Sequence, residues 1–414
     1  MHINNEYLEN LAKEADDLHD VGIAMLEKND YGNAVNTFDK ELKKLQIIRR
    51  ELTNNNFSKA IAKAHYCRGI AFNRLNKLDK AVKDFGDAIT YKSDFYDAYW
   101  NKSVSLLLAG KLEPGWEFYE YRWKKTTITP YDAERYPQSK LWLGKTSIAG
   151  KIILLHSEQG LGDTIQFCRY AKLVSDKGAQ VIIEVEKSLV DLIKTLEGNF
   201  QVIPKDDDLP EFHYHCPIMS LPFALKTRRI KDIPFHQKYL KSDTIKLTDW
   251  INKLGPKEKI RIGIAWGGGG KYESKEKRDV SLSSLIQILP KNFQYVIIQP
   301  DVCDTDVAEL KADTDLLDFH NDLTDFRETA ALIELLDIVI SVDTSVAHLA
   351  GALGKKVWIL LPFNPDWRWL LNTTTSRWYN SATLYRQKRI GQWDGVFEKI
   401  KVDLLAIKQE LLNT

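Results

Sequence analysis

The sequence predicts an α plus α/β protein, with a helical repeat array over roughly the first 125 residues and two parallel α/β domains after it. Three observations predict this class. Small and large residues recur at a fixed spacing in the first part, β-rich runs alternate with helical patterns from about residue 150, and a charged segment ending in Gly-Pro divides the second part. A chain of 414 residues is long enough for each part to bury its own core.

The repeat comes first. Residues 1 to 125 are helical in pattern and almost free of proline. Gly69, Phe72, Ala81 and Phe85 are followed 34 residues later by Ser103, Leu106, Gly115 and Tyr119. Gly22, Met25, Ala34 and Phe38 hold the same offsets earlier, at a step of 47 residues. The longer step predicts a lengthened helix through ELKKLQIIRREL. Small residues let two helices approach closely while an aromatic ring fills the groove between them. The pattern over residues 15 to 123 resembles the tetratricopeptide repeat, whose stacked units form a concave binding surface or a dimerisation module.

From about residue 150 the pattern changes. KIILLH, QVIIEVE, FQVIP, IRIGIAW, FQYVIIQ, DIVISV and KVWILL read as strands. DTIQFCRYAKLVSDKG, LVDLIKTLEG, SLSSLIQILP and TAALIELL read as helices between them. Such alternation indicates parallel sheets. The run LTDWINKLGPKEK, 247 to 259, separates two similar halves. The expected boundaries are 1–125 for the repeats, 126–149 for a linker, 150–250 for the first α/β domain and 251–414 for the second. Ligands are expected at the carboxyl ends of strands, in the cleft between the two domains.

Composition narrows the function classes. The net charge of +1 gives no electrostatic case for binding nucleic acid. The four cysteines are scattered, without a C-x-x-C pair, which fits a reducing compartment and argues against a disulfide framework. The polar, acidic N-terminal segment is no signal peptide, and no apolar run approaches the ~20 residues of a membrane span. A cytoplasmic location is the expectation.

Three segments have the residue types for chemistry. In HSEQGLGDTIQF, Gly160 and Gly162 permit a tight turn after the strand KIILL, and Asp163 opens the next helix. That acid reads either as a helix cap or as a catalytic base facing the cleft, with Glu158 as a second candidate. A dinucleotide fingerprint fits poorly, because the third glycine is missing and an acid would face the pyrophosphate. In DIVISVDTSVAHLAGALG, a strand ends at Asp343. Thr344 and Ser345 then start a helix whose free amides form an anion site, with His348 one turn in. In IAWGGGGKYESKEKRDVSL, Gly267, Gly268 and the following glycines precede Lys271, Lys275, Lys277 and Arg278. Arg278 is the best bidentate partner for a phosphate. Gln299, Phe363, Trp367 and Trp369 are expected to border the cleft or to pack in the core. The acidic run Asp206 to Asp208 reads as solvated. His213, His215 and Cys216 lack a second ligand pair for zinc.

The segments HSEQGLGDTIQFCRY, DIVISVDTSVAHLAGALGKKVWILLPFNPDWRW and WYNSATLYRQKRIGQWDGVFEKI together resemble bacterial tetratricopeptide-repeat glycosyltransferases. Their catalytic half is similar to the ADP-heptose:lipopolysaccharide heptosyltransferases. The glycine loop departs from that family, with Trp266-Gly267-Gly268-Gly269 and Arg278-Asp279-Val280-Ser281-Leu282 at the corresponding positions. The resemblance implies a GT-B fold of two Rossmann-like domains, binding acceptor in the first and nucleotide-sugar in the second. It also implies inverting transfer without a metal or other cofactor. Asp163 matches the family's general base, and Asp343, Thr344 and His348 match its donor-diphosphate segment, with Ser345 in place of a glycine.

The implied reaction moves a sugar from a nucleotide-sugar to an acceptor hydroxyl, the repeats favouring a protein acceptor over lipopolysaccharide or another glycan. A non-catalytic scaffold with a nucleotide-sugar-binding fold is the principal alternative, and a nicotinamide-dependent oxidoreductase the weaker one. Nothing in the sequence selects the base or the sugar of the donor.

Overall fold

The computed structural model describes residues 5–52, 57–125, 132–268, 278–312 and 316–412. The chain forms two compact units, Met1–Pro130 and Tyr131–Thr414. Among the described residues, no helix is long and apolar enough to cross a membrane.

The first unit is a stack of helix pairs: α1 (Asn5–Glu27) with α2 (Tyr31–Glu51), α3 (Ser58–Arg74) with α4 (Leu78–Tyr91), and α5 (Tyr96–Leu108) with α6 (Leu112–Tyr119). The repeat signature explains the pairing. A methyl group on Gly22 would stand 2.5 Å from the Phe38 ring, and one on Gly69 would stand 2.7 Å from the Phe85 ring. In the third pair, Gly115 packs on Leu107, and the Ser103 hydroxyl donates to the Gly115 carbonyl at 3.0 Å. Helix α2 runs 21 residues against 14 in α4, so a lengthened helix supplies about half of the longer first step. Its second half buries Leu42, Leu45 and Ile48 against Leu8, Leu11 and Ile61. Buried hydrogen bonds cross the helix pairs, among them His19 Nδ1 to Glu41 and His65 Nδ1 to Asp84, each at 3.0 Å.

The second unit holds two sheets, both wholly parallel. The first has the order β3-β2-β1-β4 and the second β10-β9-β8-β5-β6-β7. The strands are β1 (Ile152–His156), β2 (Gln180–Val185), β3 (Phe200–Pro204), β4 (Tyr214–Pro217), β5 (Arg261–Ala265), β6 (Gln294–Ile297), β7 (Leu316–Leu317), β8 (Ile338–Val342), β9 (Val357–Leu361) and β10 (Ala382–Arg386). The helix Thr244–Leu254, ended by Gly255 at φ 65°, leads from one half to the other. Among the described residues the halves are unequal, with four strands and six. The additional strands β7 and β10 are short or mixed in polarity, so no apolar run announced them.

In each sheet the strand order reverses beside the half's first strand, next to β1 and next to β5. Parallel sheets bind ligands at such reversals, beyond the carboxyl ends of the strands. The loops after β1, β5 and β8 are the three segments singled out from the sequence.

Residues 132–149, expected to form part of a linker, are seated on the first sheet. The Tyr136 ring stacks on His156 with centroids 3.9 Å apart, and its hydroxyl donates to Glu184 at 2.6 Å. Trp142 donates its backbone N–H to the His215 carbonyl at 2.8 Å. The second core joins Ile264, Ile297, Ile340 and Leu360 of the sheet to Val396, Phe397 and Ile400 of the C-terminal helix Asp394–Leu412.

Candidate active site

The loop after β1 turns at Gln159, which takes the left-handed φ of 60°, and not at the glycines. Gly160 is extended and caps helix α7, Leu161–Phe167. Asp163 is therefore the third residue of the helix, and not its cap. Its Oδ2 reaches back to accept the Gly160 N–H at 2.8 Å, one arm of a capping box. Gly162 has a different task. A methyl group there would meet His348 Cδ2 at 2.9 Å and Ser345 Cα at 3.5 Å. Its bare Cα lets α7 pack directly against the start of the helix Ser345–Ala352.

That contact brings the first and second segments together across the two halves. Asp163 Oδ1 is ion-paired to Arg368, which lies in the short 3-10 turn Trp367–Trp369 between β9 and β10. The turn is capped by Asp366, which accepts the Arg368 N–H at 3.0 Å. It ends at Leu370 with φ 54°, a conformation that costs a non-glycine residue about 1 kcal/mol or more.

Thr344 caps the helix Ser345–Ala352, and its hydroxyl lies 3.2 Å from that of Ser341. Asp343, just before it, is within 3.7 Å of His348 Nε2. Burial pushes the Asp343 carboxyl up to about 7. The Asp366 carboxylate adds to the rise, while Trp369, Arg368 and Arg278 oppose it. A proton held there removes the repulsion that an acid would otherwise show to a phosphate. Burial and the charges of Arg368 and Arg169 hold His348 well below its usual range, so its ring is neutral. Its Nδ1 bonds the Tyr379 hydroxyl at 2.8 Å, and its face lies over Trp369.

The loop after β5 adds the cation. A methyl group on Gly268 would stand 2.2 Å from Arg278 Nη2 and 3.2 Å from Thr344 Cγ2, so Arg278 lies over Gly268 beside Thr344. Gly267 leaves room for Asp279, which bonds Arg278 Nε at 3.3 Å. Lys271, Lys275, Lys277 and Gly269 lie outside the described residues.

Two of the expected site residues do other work in this structure. Gln299 accepts the backbone N–H groups of Trp266 and Gly267 at 2.9 and 2.7 Å and donates to the Asp301 carbonyl, so it shapes the glycine loop. Glu158 is buried and accepts the Met219 N–H at 3.2 Å. Trp367 and Trp369 border the site from its core side, both buried. The sequence reading missed Arg368, Asp366, Gln166 and Tyr379. Opposite charges alternating with two tryptophans in PDWRW were the available signal for the first two, whereas nothing marked Tyr379. Outside this region, Asp206, Asp207 and Asp208 are exposed. His213 accepts the Ile152 N–H, and His215 faces His156 at 3.2 Å.

Residues 322–360, from before β8 to the end of β9, match the family model for glycosyltransferase family 9 (heptosyltransferase). The segment contains Asp343, Thr344, Ser345 and His348. The protein FlbA of Caulobacter vibrioides is 24 % identical over 377 residues, covering 83 % of this chain and 61 % of that protein. The chain thus spans about three-fifths of the length of that curated relative. Among solved structures, the E. coli ADP-heptose lps heptosyltransferase II is 14 % identical, covering 63 % of this chain and 99 % of that one, with a TM-score of 0.46. The TPR2AB-domain:pHSP90-complex of yeast Sti1 is 19 % identical over 32 % of this chain and 45 % of that one, with a TM-score of 0.24.

Proposed function

We propose that the protein is an inverting glycosyltransferase that moves a sugar from a nucleoside diphosphate donor to an acceptor hydroxyl, with a protein acceptor presented by the helical repeats. The observation that carries this reading is the packing of α7 on the helix Ser345–Ala352 through Gly162. It sets a carboxylate, Asp163, next to an anion-binding helix start inside the segment that matches family 9.

In the proposed reaction Asp163 takes the acceptor hydroxyl proton as the oxygen attacks the anomeric carbon. The bond from that carbon to the diphosphate oxygen breaks, and charge develops on the leaving group. The amides at the start of the helix, Arg278 and the neutral His348 ring stabilise it. Below about pH 7 Asp343 carries a proton and adds a donor rather than a negative charge. These groups are cations and hydrogen-bond donors, which supports metal-independent departure of the leaving group.

The test is release of nucleoside diphosphate from ADP-heptose, UDP-N-acetylglucosamine and GDP-mannose, without acceptor and then with candidate acceptors. Asp163→Asn should lower release at least ~100-fold while ADP binding by calorimetry persists. Turnover retained in that variant would refute the assignment. One observation favours the second reading, a non-catalytic nucleotide-sugar-binding scaffold: both Asp163 oxygens are engaged, by Gly160 and by Arg368. Binding of donor with no release of diphosphate under any condition would decide for it.

A further inference from the structure

We propose that Arg368 is a positioning residue for Asp163, holding the base in place from the opposite half of the α/β unit. This rests on the reading of Asp163 as the base. The guanidinium is fixed at each nitrogen. Its Nε donates to Gln166 Oε1 at 2.5 Å, its Nη1 to Asp366 Oδ1 at 2.9 Å, and its Nη2 to Asp163. Its plane lies over the Trp367 ring, 4.2 Å from the centroid, and the side chain is 7 % exposed. Gln166 is fully buried with its oxygen turned to Arg368, and its Nε2 finds no partner among the described residues. That arrangement favours the arginine over the amide's own full satisfaction.

Asp163 and Gln166 stand on α7 in the first half, while Arg368 and Asp366 belong to the second. The base is therefore complete only when the two halves are together. A carboxylate offers about four lone-pair directions, so bonds from Gly160 and Arg368 orient the group and leave acceptor capacity on each oxygen. Burial raises the Asp163 pKa; Arg368 and the Gly160 N–H lower it, and Asp366 and Glu158 raise it again. His348 faces α7 at Gly162, and Asp343 stands 3.7 Å from His348 Nε2. The net direction is upward, burial being the largest cause, and Arg368 is the cation that opposes it.

The two neighbours predict opposite shifts. With full-length enzyme and whichever of the three nucleotide-sugars turns over, the acid limb of kcat/KM for diphosphate release reports the base. Arg368→Gln should move that limb up by about one pH unit or more, the effect of losing an adjacent opposite charge. Arg368→Lys should return it at least halfway. Asp366→Asn should move it down, because a carboxylate that raises Asp163 is gone. A merely structural role would lower kcat in these variants and leave the limb in place, and that result overturns the proposal. Should Arg368→Gln fail to fold, Arg368→Lys decides. It keeps the charge but not the fork that bonds Gln166, Asp366 and Asp163 together, so its acid limb should move up by a smaller amount, and an unmoved limb overturns the proposal. Wild-type enzyme silent with all three donors overturns the transferase reading and this inference with it. Active enzyme with unmoved limbs overturns only the inference.

Discussion

At Asp343, burial and the Asp366 carboxylate hold a proton on the acid up to about pH 7, against an ordinary value of 3.8. The folded protein thus binds more protons here than the unfolded chain does between those values. Stability from this group is greatest below the ordinary value, falls as pH rises toward 7, and stays low above it. Asp343→Asn should therefore be more stable than the parent at pH 8, by on the order of 4 kcal/mol, and should match the parent at pH 4. A thermal melt series across that range checks the sign. Gly268→Ala tests the opposite kind of site, where space and not charge is decisive. The new methyl group meets the flexible end of Arg278, so the fold should be unaffected while the cation leaves Thr344. The expected result is an unchanged melting temperature with ADP affinity weakened roughly 10-fold, the loss of one charge-assisted contact.

Among the elements, the helix pairs were the most legible in the sequence, because a glycine facing a phenylalanine at fixed offsets states both the contact and its partner. Phe85→Ala should empty the groove over Gly69 and cost about 3–5 kcal/mol. Gly69→Leu should overfill it and cost about 1–3 kcal/mol; urea denaturation followed by helical circular dichroism measures both. The sheets were legible where strands are buried on both faces and read as continuous apolar runs. Strand β10, ATLYR, carries a threonine and an arginine and gave no such signal. The run DTIQFCRYAKLVSDKG read as one helix but is broken into α7, a 3-10 turn at Cys168–Tyr170 and a further turn at Ala171–Ser175. Tertiary bonds account for the break: Arg169, in that turn, sends its guanidinium to the carbonyls of Phe235 and Trp378 and to the Tyr239 hydroxyl. The site's acids and small residues could be picked out from local spacing. Arg368 could not, since its partner Asp163 is 205 residues away in sequence.

Across the whole molecule, the repeats and the α/β unit have separate cores, and the proposal assigns them separate tasks. A chain beginning at residue 132 is expected to release diphosphate from the donor and to lose transfer to a protein acceptor. Comparing the two rates in truncated and full-length enzyme tests that division. Within the α/β unit the two sheets are joined differently. Arg169 of the first half is buried and bonded to Trp378 of the second, while Arg368 of the second is buried and bonded to Asp163 and Gln166 of the first. Parting the halves would take Arg169 from the Trp378 carbonyl and Arg368 from Asp163 and Gln166. Arg169 would keep Phe235, Tyr239 and Gln166 in its own half, and Arg368 would keep Asp366 in its own. The broken Arg368–Asp163 pair would cost about 3–5 kcal/mol. These reciprocal arginines make the melting of one sheet conditional on the other. Scanning calorimetry of residues 132–414 should show a single heat-absorption peak whose van't Hoff and calorimetric enthalpies agree, and Arg169→Met should split it into two.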